Sequence, residues 1–342
     1  MGTWEPRHSR SAPVLVEIKS GLCKEGTLQP TVAKPAETTR RWRIGWPNSS
    51  RMSEEAFAYW LIVPVLAVLT AIMIYPTLYS IWISLFNVNV AIESWDWAGL
   101  DNYGRALSSP EVGGAIVRTV VYTVYVTAIS VIVAVCAALL LNERFKGRPL
   151  VLGLVILPWS VSTYAAGVIF RFMYLPQQGF FNALLQRLNL IQEPYIFINE
   201  QFVLLFIAIA HAWQYAPLGM SFVLLNLQII PEDLYRVAKT DRLGPFGRFR
   251  HVMWPYVKTP ILIYLVLVTA EAAKVFDIIY FLSGGGPGNA SVHLVYLIYK
   301  ETFVNLDLGY GAAISWILVV IVLALSTLYF WLLTSRRREE AL

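Results

Sequence analysis

Pro231-Glu232-Asp233-Leu234-Tyr235-Arg236-Val237-Ala238-Lys239-Thr240-Asp241-Arg242-Leu243-Gly244 is a polar island between two long apolar runs, near 202–229 and 260–282. Pro231 opens a helix, the acids at the next two positions suit the positive end of its dipole, and Gly244-Pro245 stops it. Leu234, Val237 and Ala238 recur at i, i+3, i+4 and give one apolar face, while Arg236, Lys239 and Arg242 lie elsewhere on the surface. An exposed amphipathic helix of this kind either lies on a membrane surface or docks in a partner's groove. The runs on both sides reach the roughly 20 residues that a helix needs to cross a hydrocarbon core of about 30 Å.

Four more runs of that length lie outward of this pair, near 57–86, 114–141, 150–174 and 309–334. The composition agrees. Of 342 residues 57% are hydrophobic and only 14% charged, and mean hydropathy is +0.56, where a soluble domain carries about 25% charge. A soluble enzyme is excluded. Two cysteines, Cys23 and Cys136, supply neither a disulfide framework nor the four ligands of a structural zinc site. The tail at 1–55 has no apolar core of an export signal and reads as a disordered basic segment.

A net charge of +5 is ambiguous until it is placed. Of the 27 Lys and Arg, 21 fall in the N-terminal tail, the loops at 142–149 and 230–259, and the C-terminal tail. The other three loops hold only Arg105, Arg187 and Lys300, and Arg118, Arg171 and Lys274 lie in or at the edge of spans. Cytoplasmic loops collect Lys and Arg, so both termini are expected in the cytoplasm. The charge is topology, not nucleic-acid affinity.

Ionisable groups inside a span cost at least ~2.5 kcal/mol each near its centre and usually face a cavity or another chain. The fifth run has three, Glu271, Lys274 and Asp277, and on one continuous helix that spacing turns all three toward one cleft. A neutralised structural pair with one snorkelling acid is the alternative. The fourth run brings His211, Trp213, Gln214, Tyr215 and Leu218 to a similar depth. Carboxylates, an amide and flat rings suit a sugar, which offers hydroxyl edges and an apolar C–H face; Trp213 and Tyr215 are equally at home in packing. With one Lys, two acids and a neutral His the set sums to about −1, favouring a neutral solute over glycerol 3-phosphate.

The chain has no G-x-x-x-x-G-K-[ST] phosphate cradle, and Ser283-Gly284-Gly285-Gly286-Pro287-Gly288 lacks its Lys-Ser/Thr pair. Neither H-E-x-x-H nor G-x-S-x-G occurs. The chain is therefore expected to be no enzyme, to hold no metal or cofactor, and to draw energy from elsewhere. An ion-coupled secondary transporter with Glu271 and Asp277 as proton sites is the competing reading.

The stretch from Pro231 to Gly244, continued by Val252-Met253-Trp254-Pro255, resembles the EAA loop of inner-membrane permease subunits in binding-protein-dependent ABC importers of the carbohydrate-uptake branch. Gly99-Leu100-Asp101-Asn102-Tyr103, Leu157-Pro158-Trp159, Gly179-Phe180-Phe181-Asn182 and the stretch from Phe276 through Tyr280 to Pro287 are similar to that branch too, in the same order. The resemblance implies an all-α, polytopic membrane protein with six transmembrane helices, the type I permease fold, over 56–334, between cytoplasmic tails at 1–55 and 335–342. It also implies a coupling loop at 231–258 that docks on an ATPase through Leu234, Tyr235, Arg236, Ala238, Asp241 and Gly244. Arg236-Val237-Ala238 stands where the family usually has Glu-Ala-Ala, and Asp241-Arg242-Leu243 where it has Asp-Gly-Ala. Sugar contacts of maltose-type permeases, carried over position by position, fall on His211, Gln214, Tyr215, Leu218, Glu271, Ala272, Val275 and Asp277, and Lys274 between the two acids is similar to trehalose-type permeases. The implied partners are a second homologous permease, two ATP-binding cassette subunits that bind ATP and Mg, an extracytoplasmic solute-binding protein, the sugar and membrane lipid, in a bacterial inner membrane. Glycerol 3-phosphate is the alternative cargo of the same architecture.

Overall fold

A computed structural model describes residues 54–339 of the chain. The chain divides into two units, 1–61 and 62–342, and only 54–61 of the first are described, as the opening turns of a helix. The expected basic tail, with Arg40, Arg41, Arg43 and Cys23, lies outside the described residues.

The first span is α1 (Glu54–Leu69), a π-helical turn at Thr70–Ile74 and α2 (Tyr75–Ser84). A hairpin follows, β1 (Phe86–Asn89) against β2 (Ser94–Trp97), antiparallel with Phe86 opposite Trp97. It is a small β departure from an otherwise helical chain. Beyond it lie α3 (Asp101–Ser108) and the 33-residue α4 (Pro110–Asn142), started by Ser109, whose side chain accepts from the Val112 N–H. The third run is α5 (Arg148–Ser160) and α6 (Thr163–Met173); short α7 (Phe180–Arg187) leads to the fourth span, α8 (Val203–Gln228). Then come α9 (Glu232–Thr240), α10 (Pro245–Arg248), a π-helical turn at Phe249–Met253 and α11 (Trp254–Lys274). The chain closes with α12 (Asp277–Leu282), α13 (Leu294–Tyr299), a π-helical turn at Lys300–Val304 and α14 (Leu308–Glu339).

Among the described residues five helices are long and apolar enough to cross a membrane, and six if α5 and α6 count as one broken span. Two expected spans differ from the sequence reading. The third is not a single rod: α6 departs from α5 by 102°. Val161 is extended (ψ 134°), and Ser162 restarts the helix by accepting from the Ala165 N–H. The fifth begins earlier than expected, at Pro245, and ends at Lys274, where Val275 is extended (ψ 136°). Both breaks fall within long apolar runs, with Ser160, Ser162 and Thr163 at the first and Lys274 and Asp277 at the second, and mean hydropathy over a span-length window carries through them. The last helix also runs past the expected boundary at 334 to Glu339.

The core is centred on α4 and α8, the most extensive helix pair, with α11 against both. Alanines make the approach close: Ala134 and Ala138 on α4, Ala208, Ala212 and Ala216 on α8, all buried. In lipid, where apolar side chains gain nothing by leaving their solvent, such small-residue contact is what helices associate through. Gly219 on α8 has the same purpose against α11, since a Cβ there would fall on the Tyr264 ring. Cys136, exposed on α4, is unpaired.

Two motif asparagines clamp the loops at the span ends. Asn102, 1% exposed, donates from Nδ2 to the carbonyls of Ser84 (3.1 Å) and Phe86 (2.9 Å), fixing α3 to the exit of the first span. Asn182, equally buried, donates to Leu175 and Tyr195 carbonyls (3.2 and 3.0 Å) and accepts from the Tyr195 N–H (2.8 Å). Ion pairs Arg105–Asp307 (2.6 Å) and Lys300–Glu111 (3.2 Å) tie the end of α3 to the residue before α14 and the start of α4 to the π-helical turn after α13.

Candidate functional site

The polar island folds as the sequence predicts, as helix α9. Pro231 is extended (ψ 136°) and the first turn carries Glu232 and Asp233. Its apolar residues are divided. Ala238 is buried and Tyr235 half-buried, whereas Leu234 and Val237 are exposed. Burial against the end of α4, beside Glu143, pushes the Tyr235 phenol above its usual value. Arg236 pairs with Asp233 one turn back, and Arg144 from the preceding loop with Glu232 at 2.9 Å. Both pairs are largely exposed and contribute little, about 0–1 kcal/mol each.

The end of α9 explains a departure in the loop. The Leu243 N–H bonds the Ala238 carbonyl (3.0 Å) and the Arg242 N–H bonds Lys239 (3.1 Å), a closure that puts the intervening residue in the left-handed region. That residue is Arg242, φ 53°, at the position where the resembled loop carries glycine. Asp241 and Gly244 are both exposed beside it.

The second candidate region lies at the far end of α11. Lys274 Nζ pairs with Glu271 Oε1 at 2.8 Å, and the two side chains keep 58% and 40% of their surface accessible. The helix break then removes Asp277 from the arrangement expected of one continuous helix. It is exposed in the first turn of α12, so the three charges flank a backbone break instead of lining one helical stripe. Across from them on α8, the Tyr215 hydroxyl is within hydrogen-bonding reach of Glu271 and of Thr163 on α6. Leu218 and Val275 are half-buried nearby in the chain, and Ala272 is fully buried.

Three residues of the fourth run are engaged elsewhere. His211 is 1% exposed, with Nδ1 2.8 Å from the Tyr122 hydroxyl on α4. Gln214, 4% exposed, donates from Nε2 to the Val161 carbonyl (2.6 Å) and to Thr163 Oγ1 (3.3 Å). It thereby satisfies a carbonyl that the α5–α6 break releases. Trp213, expected with the polar lining, stands against Phe170 (5.3 Å between rings) and a furrow between α4 and α5. Tyr264 adds a support, donating to the Tyr215 carbonyl at 3.0 Å.

Sequence reasoning missed a cluster of rings that starts at Phe276, next to Asp277 in the chain. Phe276 lies 5.1 Å from Tyr280 and 5.0 Å from Tyr299, and Tyr280 and Tyr299 are 5.4 Å apart. The spacing Phe276, Tyr280 and Tyr296, Tyr299, Phe303 holds the signal, aromatics recurring at helical intervals on both sides of the glycine loop. Together the region offers acceptors, a cation, a phenol and ring faces, and no nucleophile–base pair. Among the described residues no three His, Cys, Asp or Glu side chains group as a metal site.

Residues 127–337 match the family described as binding-protein-dependent transport system inner membrane component. The chain is 35% identical over 278 residues to the trehalose/maltose transport system permease protein MalF of Thermococcus litoralis, covering 81% of this chain and 93% of that protein. It is 29% identical over 273 residues to the sn-glycerol-3-phosphate transport system permease protein UgpA of Agrobacterium fabrum, covering 80% and 92%. In fold it is similar to a chain of a bacterial ABC transporter involved in the import of the acidic polysaccharide alginate, with a TM-score of 0.70 at 19% identity, covering 82% of this chain and 95% of that one.

Proposed function

The chain belongs to the family of binding-protein-dependent transport system inner membrane components, and from that premise we propose that its cargo is a neutral sugar or polyol. It is a membrane-embedded permease subunit of an ABC importer and not an enzyme. The observation that carries the cargo reading is the open group at the α11–α12 break: the Glu271–Lys274 pair, Asp277 beyond it, and the Tyr215 hydroxyl opposite. Two acids and one cation leave a net negative site, which repels a phosphate ester and suits hydroxyls that donate to carboxylates. The trehalose and maltose named for the Thermococcus relative fit this chemistry better than the glycerol phosphate named for the Agrobacterium one.

On this reading both termini are cytoplasmic and the break at Val275 faces the outer side of a bacterial inner membrane. An extracytoplasmic binding protein delivers the sugar, a second permease subunit completes the pathway, and two ATPase subunits bind ATP and Mg. Closure of the ATPases reaches this subunit through α9, whose exposed Leu234, Arg236 and Val237, with half-buried Tyr235 and the exposed Asp241 and Gly244, form the docking surface, while Ala238, expected there, is buried and holds α9 in place instead. The movement exposes the sugar site first outward, then inward. His211, Gln214 and Ala272 enter by holding helices, while Tyr215, Leu218, Glu271, Lys274, Val275 and Asp277 present accessible surface.

The test is uptake by the reconstituted importer with its binding protein. Glu271→Gln and Asp277→Asn are each expected to lower trehalose or maltose uptake roughly tenfold, the worth of a charge-assisted hydrogen bond, with co-purification of the ATPase unchanged. Uptake of glycerol 3-phosphate but of no sugar, or normal sugar uptake in both variants at limiting substrate, overturns the assignment.

A further inference from the structure

Helices α4 and α5 both lie against α8, and between them runs an apolar furrow made of two adjoining cavities. One, of 310 Å³, is lined by Val133, Leu154 and Pro158 over a floor of Trp213, Pro217 and Met220. The other, of 460 Å³, shares Ala137 and Val155 with the first and continues to Leu140, Phe145 and Glu143. Each is within the roughly 300–1,000 Å³ of ligand-binding cavities. The furrow ends where α4 leaves the hydrocarbon, at a loop with Arg144, Lys146 and Arg148 in five residues. Arg148 donates from Nε to the Leu141 carbonyl at 2.7 Å, which holds its guanidinium at the furrow's mouth, and Lys146 is exposed beside it. Arg144 is engaged with Glu232, and Glu143 is the one acid on the lining.

We propose that this furrow is a binding site for an anionic phospholipid, with an acyl chain along Ala137, Leu154 and Val155 and the phosphate at Lys146 and Arg148. The argument is the juxtaposition. A groove that is apolar over its length and basic at one end matches a molecule that is apolar over its length and anionic at one end. An apolar helix of a partner subunit would fill the furrow and leave the cations unmatched. The inference deepens the permease reading and rests on its placement of the 143–147 loop at the cytoplasmic membrane surface.

The intact importer in nanodiscs supplies the test, read as the fluorescence quenching that disappears in Trp213→Phe. Phosphatidylglycerol with brominated acyl chains is expected to quench this component at lower mole fraction than brominated phosphatidylcholine. Lys146→Gln is expected to shift the phosphatidylglycerol midpoint roughly fivefold, the worth of one basic side chain at a membrane surface, and to leave phosphatidylcholine unchanged. Ala137→Phe, which fills the furrow without adding a second indole, is expected to abolish quenching by both, with co-purification of the ATPase showing that the subunit assembles. Equal quenching by the two lipids in the wild type, or density for a partner helix in the furrow, overturns the proposal. Nanodiscs expose both faces, so neither outcome depends on orientation, and the uptake test stands apart from it.

Discussion

Arg242 pays a conformational penalty that its neighbours make unavoidable. The helix closes through Leu243 N–H to Ala238, and that closure needs a positive φ at position 242. An L-residue with a side chain is disfavoured there by about 1 kcal/mol or more relative to glycine. Arg242→Gly is therefore expected to tighten the end of α9, and hydrogen exchange at the Arg242 and Leu243 amides should slow about fivefold. Unchanged or faster exchange would show that the arginine makes a compensating contact. The sequence announces this residue as a departure from the usual loop, whereas its backbone angle is visible only in the fold. The opposite holds for His211 and Gln214. Their depth was legible in the fourth run, but their burial depends on Tyr122 and Val161, which lie 89 and 53 positions away.

At the level of elements, the contact of α8 with α11 depends on a missing side chain. Tyr264 lies over Gly219 and donates to the Tyr215 carbonyl, so added bulk at 219 displaces the ring and loosens the residue beside Glu271. Gly219→Ala is expected to cost about 1–3 kcal/mol by overpacking, seen as faster thermal inactivation of the purified importer. The double variant with Tyr264→Leu is expected to recover part of it, and the double with Tyr264→Phe none. Equal recovery by both would place the strain elsewhere. The spans themselves were readable, because six runs of apolar sequence separated by basic loops have few alternative arrangements. The two breaks were less so, although Pro158, a residue that kinks helices, lies three positions before the first. Val161 and Val275 are β-branched residues with polar neighbours, Ser160 and Ser162 in one case and Lys274 and Asp277 in the other, and the released carbonyl at Val161 is met by Gln214.

Across the whole molecule, α4, α8 and the segment before α13 converge on a buried cluster of Tyr122, His211 and His293. His293 caps α13, accepting from the Tyr296 N–H at 3.2 Å, and burial holds its imidazole down to about 4 from a usual 6.5. The folded protein thus binds fewer protons than the unfolded chain between those values. Its contribution is complete above pH 6.5 and is lost as the pH falls from there toward 4, at most about 3 kcal/mol by linkage. His293→Asn keeps an acceptor for the cap and removes the titration. The melting temperature of the purified importer should therefore fall less between pH 6.5 and 4 in the variant than in the wild type; parallel curves would remove His293 as the source.

The 102° turn between α5 and α6 also has a consequence for the surrounding bilayer. Helix α5 has 13 residues and so rises only about 20 Å, and α6, leaving at more than a right angle, adds no height along the same axis. A hydrocarbon layer of about 30 Å is not matched by the helical rise of this flank, a mismatch that bilayers accommodate by thinning locally. The shortfall lies at the level of Gln214 and Thr163, next to the Tyr215 hydroxyl. On the proposed function, a sugar leaving the Glu271 region would therefore have a shorter low-dielectric path to cross than the nominal membrane thickness.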